Sequence, residues 1–325
     1  MSLLNRKTMK FSVVIPLYNK ARYVAKAIQS VLSQTYTDFE LVVVDDGSRD
    51  ASAEIALKSI EGYENCRLMK QQNAGVSMAR NNGVSASHGE YLCFLDADDW
   101  WDPHFLQEIS ELIAEFPDAG IYGTNYTIVN ETKQKTRIAP VGVEPGFEKG
   151  YINYCQVYAK TLAMPLWTGA VCMPRKVFDE MEGFPKGIKL GEDFLLWIRI
   201  ALKHQVVFLN KPLAFYNQDV EVANRGVKTT GYEPDSFMTF HFGQFAEEES
   251  KNKDLKVLLD RIRVYSLLRF RVRNEYADAV ASEIKKVDFD NVEKKYRFYY
   301  KAPYFLVWLY AKTAEVGSSI KRILR

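Results

Sequence analysis

Cysteine and histidine are scarce, with four of each in 325 residues. Cys66, Cys93, Cys155 and Cys172 lie far apart, and no Cys-x-x-Cys pair occurs. This spacing argues against a disulfide framework or a zinc site and fits a reducing compartment. Long apolar runs are missing as well. No window reaches the roughly 18 apolar residues of a spanning helix. Met1 to Lys10 holds no apolar stretch long enough for a signal peptide. Internal repeats and low-complexity tracts are absent. A cytoplasmic globular protein is therefore expected.

The residues present include 47% apolar and 26% charged side chains, ordinary values for a globular chain. The net charge of +2 hides an asymmetry. Residues 251–325 hold 18 basic against 9 acidic side chains, and the preceding 250 residues hold 25 against 32. No nucleic-acid partner is expected. Near the end, Tyr304 to Ala311 is a run of eight apolar or amphipathic residues. Lys312, Lys321, Arg322 and Arg325 follow it. Such a segment is too short to cross a bilayer. It suits the inner face of a membrane as a peripheral contact, or else packing against the protein or a homodimer.

The first hundred residues alternate between buried strands and helices. Phe11 to Pro16 reads as a strand that Pro16 ends, because proline has no donor for the ladder. A helix is expected over 21–32, a strand over 39–44, a helix over 52–60, a strand over 67–70 and a helix over 76–85. Tyr91 to Leu95 is a further buried strand, in which Cys93 is a core residue. This alternation predicts right-handed crossovers and a mostly parallel sheet covered on both faces. Further expectations are a helix over 103–116, a strand over 120–129 and a loop across the sheet's mouth over 139–150. A strand over 168–174, a helix over 175–181, a buried helix over 194–202 and a strand over 206–209 follow. Beyond about residue 230 helical spacing takes over. Two regions are expected: residues 1–230 as an α/β catalytic domain and 231–325 as a helical extension.

Carboxylates stand at strand ends. Val44 runs into Asp45-Asp46-Gly47-Ser48, and Leu95 into Asp96-Ala97-Asp98-Asp99. Ligands of α/β sheets bind at the carboxyl ends of strands. Hard oxygen ligands that leave coordination sites open suit magnesium or manganese completed by a diphosphate. The same acids also fit a solvated turn that caps the next helix. An EF-hand loop needs further ligands at alternate positions, and Asp98-Asp99-Trp100-Trp101 breaks that pattern. An Asp-x-Asp phosphatase usually has a Thr soon after the pair, and none is present. Trp100 and Trp101 read as packing residues rather than a sugar-stacking surface.

Five motifs occur in order: Val13 to Asn19, Val44 to Ser48, Asn73 to Asn81, Asp96 to Asp99, and Gly191-Glu192-Asp193. Over about residues 10–220 the chain resembles the family-2 inverting glycosyltransferases of the GT-A fold. The resemblance implies a Rossmann-like sheet and transfer of one sugar from a nucleotide-diphosphate sugar, UDP-linked in expectation, to an acceptor hydroxyl. The acceptor would be a glycan or a lipid-linked molecule, as in surface polysaccharide or glycoconjugate synthesis. It implies that Pro16, Tyr18 and Asp45 hold the nucleobase, and that Arg80 lies near the nucleotide. Asp96, with Ala97 between, and Asp98 would meet ribose and a Mn²⁺ or Mg²⁺ ion. Asp193, beside Glu192, would be the base. Processive relatives carry Gln-x-x-Arg-Trp after the base. Here Leu195 to Arg199 follows instead, so one sugar per encounter is expected. A GT-A-like binding module without chemistry is the competing reading, and the intact acids argue against it. A nucleotidyl transferase would need a Gly-rich loop where Pro16-Leu17-Tyr18-Asn19 stands.

Overall fold

The structure, a computed structural model, describes residues 10–130, 132–219 and 231–312. In chain order its elements are β1 (Phe11–Leu17), α1 (Val24–Leu32), β2 (Phe39–Asp45), α2 (Ser52–Ser59), β3 (Cys66–Lys70), α3 (Val76–Ser85), β4 (Tyr91–Phe94) and β5 (Trp100–Trp101). Next come α4 (Phe105–Glu115), β6 (Ala119–Asn130), β7 (Lys135–Ile138), β8 (Lys149–Ile152), α5 (Tyr154–Thr161), β9 (Val171–Pro174), α6 (Arg175–Glu180), α7 (Glu192–Lys203) and β10 (Gln205–Asn217). The helices α8 (Ala246–Lys251), α9 (Lys253–Ser266), α10 (Leu268–Arg273), α11 (Ala277–Ile284), α12 (Lys294–Lys301) and α13 (Tyr304–Lys312) follow.

These elements form two compact units. One holds residues 10–154, 163–187 and 192–219; the other holds 155–162, 188–191 and 231–312. The first is a ten-stranded sheet of order β3-β2-β1-β4-β9-β6-β10-β5, with β7 beside β6 and β8 beside β10. β1, β2, β3 and β4 are parallel, as are β6 and β10; β9 runs antiparallel to both β4 and β6. The chain leaves β1 for β2 and β3 on one side and returns to β4 on the other. That reversal opens a crevice at the strands' carboxyl ends.

The helices that cover the sheet follow their apolar spacing. Val24, Ala27, Ile28 and Val31 put one face of α1 in the core. α3 presses closer still, because Gly83 lets its backbone approach β1 and β2. At the opposite end of the sheet, buried Glu40 accepts hydrogen bonds from Ser12 and from the backbone of His88 and Gly89, and pairs with Arg67. Burial opposes its charge, yet these donors hold its pKa below the ordinary value.

Several boundaries differ from the expectations. β1 continues through Pro16 to Leu17, with Pro16 opposite Val44. The Val14 carbonyl accepts from Leu95, so two residues on, the missing N–H of Pro16 faces the side where β4 pairing has already ended at Phe94. β10 is thirteen residues long, because irregularities around Leu209 and Pro212 let the strand continue past a polar interruption. The 168–174 strand is shorter and begins with a helical turn at Thr168–Ala170. The loop over 139–148 joins β7 to β8, and Gly150 lies within β8.

The second unit is helical. α9 carries a buried ion network in which Arg263 pairs with Glu249 and Glu283, and Asp260 pairs with Lys256. Among the described residues no helix is long and apolar enough to cross a membrane. In α13, Phe305 and Trp308 are exposed and Val307 is buried. Lys321, Arg322 and Arg325 lie outside the described residues.

A Cβ at Gly83 would stand 2.4 Å from Val14 Cγ1 and 3.1 Å from Val44 Cγ2. Gly83→Ala should therefore cost about 1–3 kcal/mol through overpacking, read as a melting temperature several degrees lower. A melt matching the wild type would show that α3 does not sit this close to the sheet.

Candidate functional site

The site is built at the carboxyl ends of β1, β2 and β4, all in the first unit. The loops after β1 and β2 are tied together. Asn19 N–H donates to Ser48 Oγ at 3.1 Å, Arg49 N–H to Asn19 Oδ1 at 2.8 Å, and Lys20 N–H to Ser52 Oγ at 2.7 Å. Tyr18 stands on this frame with 41% of its surface exposed, while Asp45 is buried and accepts the Ser48 N–H. Asp46, also buried, accepts from Gln71, Ala74 N–H and Gly75 N–H, which fixes the turn leading into α3.

Arg80 on α3 is buried and reaches in two directions. Its Nη1 meets Glu192 and its Nη2 meets Asp96, each at 2.8 Å. The guanidinium lies over the Phe184 ring, 5.0 Å from its centroid. Burial opposes its charge, but the two carboxylates outweigh that and raise its pKa. Asn81 clamps the turn below, donating to the Phe184 carbonyl at 2.9 Å and accepting its N–H at 3.0 Å. The clamp needs Gly183, whose φ is +69° and whose Cβ would sit 2.8 Å from Asn81 Oδ1.

After β4 the acids point in different directions. Asp96 pairs with Arg80, and Asp98 with Lys20 at 2.5 Å. Asp99 is buried and accepts the Asn217 N–H at 2.8 Å. Ala97 is buried in the core. Burial and the neighbouring acids raise the pKa of Asp98 and raise that of Asp99 further, with Lys20 opposing both shifts. Glu192 and Asp193 begin α7, where the helix dipole favours acids. Asp193 Oδ2 accepts the Thr168 hydroxyl at 2.8 Å. Trp101 stacks on Phe105 and donates to the Gly169 carbonyl, and Trp100 stacks on Phe215, so both tryptophans pack as expected.

Among the described residues no three His, Cys, Asp or Glu side chains form a complete metal cage. Magnesium and manganese need less than that when a diphosphate supplies oxygens, one or two carboxylates being typical. Asp96 and Asp98 would offer two hard oxygen donors, and each engages a protein cation through one oxygen. Their crowding with Asp99 would be relieved by positive charge, so the donor set fits a divalent ion.

The fold brings the expected residues Asp96, Arg80 and Glu192 into one hydrogen-bonded chain. Lys20, Asp46, Asn81, Thr168 and Phe184 were not singled out from sequence. Asp46 and Asn81 lay inside recognised motifs, whereas Lys20 and Thr168 carried no local signal.

Residues 12–181 match the family described as glycosyl transferase family 2. The glycosyltransferase GlyG of Streptococcus pneumoniae is 34% identical over 216 residues, covering 64% of this chain and 70% of that protein. GlyA of the same organism is 34% identical over 215 residues, covering 64% of this chain but 30% of that protein. The chain spans about a third of the length of GlyA and of a Rickettsia felis glycosyltransferase. Among solved structures, residues 1–349 of S. aureus TarS in complex with UDP-GlcNAc align with a TM-score of 0.72 at 20% identity. That alignment covers 97% of this chain and 92% of that one, a likeness of fold.

Glu192 has a pKa pushed from 4.5 up to about 7 by burial and by the charge of Asp193, against the pull of Arg80. Below 4.5 the carboxyl is protonated whether the chain is folded or not. Between the two values the folded state binds more protons, so stability falls as pH rises, and the loss levels off above about 7. Glu192→Gln escapes this fall. Its melting temperature relative to wild type should rise between about pH 5 and 8. A constant difference over that range would refute this titration.

Proposed function

We infer, since this chain belongs to glycosyl transferase family 2, that it moves one hexosyl group from a UDP-linked sugar to an acceptor hydroxyl with inversion. The observation that carries this reading is the Arg80 bridge. One buried guanidinium holds an acid of the donor side, Asp96, and an acid of the α7 start, Glu192, in a single unit. The UDP-GlcNAc in the TarS complex supports a uridine nucleotide. In this reading Tyr18 stacks on the base from the exposed end of β1, with Pro16 shaping the loop and Asp45 beside it. Asp96 and the backbone of Ala97 meet the ribose.

Asp193 takes the proton from the acceptor hydroxyl as its oxygen attacks the anomeric carbon, and the bond to the diphosphate breaks in the same displacement. The hydroxyl of Thr168 orients the Asp193 carboxylate. Glu192, tied to Arg80, holds the start of α7 in place. Asp98 and Asp96 would hold a Mn²⁺ or Mg²⁺, which when bound would supply positive charge against the leaving diphosphate. The products are the glycosylated acceptor and free nucleoside diphosphate. The acceptor is a glycan or lipid-linked molecule of the cell surface, approached from the cytoplasmic side.

The deciding experiment incubates nucleotide sugars with an acceptor panel and manganese and identifies what leaves. Nucleoside diphosphate is expected, and release of a sugar phosphate would mean nucleotidyl transfer instead. Asp193→Asn should keep donor binding and lose about 10²–10⁴-fold in transfer; transfer near the wild-type rate would move the base elsewhere. Asp98→Asn should keep the fold but lose the manganese-dependent thermal shift given by UDP-GlcNAc. An undiminished shift would remove Asp98 from the metal site.

A further inference from the structure

A cavity of about 320 Å³ lies within the helical unit. Its size is at the lower end of small-molecule pockets, roughly 300–1,000 Å³. α10, α11 and α12 surround it. Phe270, Val280, Ile284, Phe289 and Tyr300 form an apolar wall. The cavity sits where two small cores meet, since Ile284 and Tyr300 pack against both. The Tyr300 hydroxyl is already satisfied by the Val264 carbonyl, so the ring offers only its apolar face.

The rim is basic. Arg271, Lys285 and Lys301 line it, with Glu275 the one acid among the lining residues. Arg271 caps α12 by donating to the carbonyls of Tyr299 and Ala302. Lys301 lies over the Phe289 ring at 5.4 Å. Among the described residues none of these three cations is in an ion pair with a carboxylate. An apolar interior under a cationic lip matches a molecule with an apolar chain and an anionic head. The same unit exposes Phe305 and Trp308, the latter a residue type favoured at membrane interfaces. The chain's own residues 313–325 are a poor occupant, with three basic side chains against one acid.

We propose that this cavity is a binding site for an anionic lipid, its chain against Phe270, Ile284 and Tyr300 and its head against Lys285 and Lys301. None of the lining residues belongs to the acid cluster, and the test does not depend on the transfer reading.

The test titrates the full chain with cis-parinaric acid, whose fluorescence rises in an apolar cavity. Saturable binding is expected, with cis-parinaryl alcohol at least about tenfold weaker. The double variant Lys285→Glu with Lys301→Glu should bind the acid about tenfold more weakly. Ala281→Trp, at an exposed position on the cavity's mouth, should abolish binding while the helical circular dichroism stays unchanged. Excess inorganic phosphate should not displace the probe. No saturable binding, equal affinity for the alcohol, full binding by Ala281→Trp, or displacement by phosphate would each overturn the proposal. A change of oligomeric state on Ala281→Trp, with no probe binding by the wild type, would identify a second copy as the occupant and also overturn it.

Discussion

The sheet-bearing unit of this protein depends on one buried guanidinium. Arg80 comes from a helix packed on the sheet, Asp96 from a strand end and Glu192 from the start of another helix. The residues are 16 and 112 positions from it in sequence. Removing one partner of a buried ion pair leaves an uncompensated charge, typically at a cost of about 3–5 kcal/mol. The arrangement of the three parts is thus enforced electrostatically. The ring of Phe184 and the clamp of Asn81 give the guanidinium a fixed floor.

That interaction leaves the crevice rich in negative charge. Asp96, Asp98, Asp99, Glu192 and Asp193 gather at one end of the sheet, and Lys20 and Arg80 answer only part of their charge. The upward shifts of Asp98, Asp99 and Glu192 share their causes, burial first and a neighbouring acid after it. A chain folding for stability alone would not collect acids at the mouth of its own sheet, since polar networks at such positions raise the cost of folding. Local strain of this kind concentrates where ligands bind.

Much of this was legible in the amino-acid sequence. Runs such as Leu41 to Val44 are buried on both faces, and their apolar character alone identifies parallel strands. The acids that end those runs mark the same edge of the sheet in the sequence itself. What could not be read depended on contacts distant in sequence. β9 lies antiparallel between two parallel stretches, a placement that its four residues do not encode. β10 contains the polar stretch Asn210-Lys211 ahead of Pro212, which hides its continuity because the strand's irregularity absorbs it. Thr168 is brought to Asp193 from 25 residues away, and Lys20 to Asp98 from 78. Neither residue is part of a local pattern. Pro16 misled in the opposite direction. A proline ends pairing only on the side its nitrogen faces, and the sequence does not say which side that is.

The carboxylate of Asp46 has a consequence for how phosphate groups can be received. In many nucleotide-binding folds the positive end of a helix meets the phosphates directly. Here Asp46 accepts the N–H groups of Ala74 and Gly75, just ahead of α3, so an anion of the protein's own already holds these two donors. The turn into α3 is thus closed by an internal contact, and these two N–H groups are not open to a phosphate.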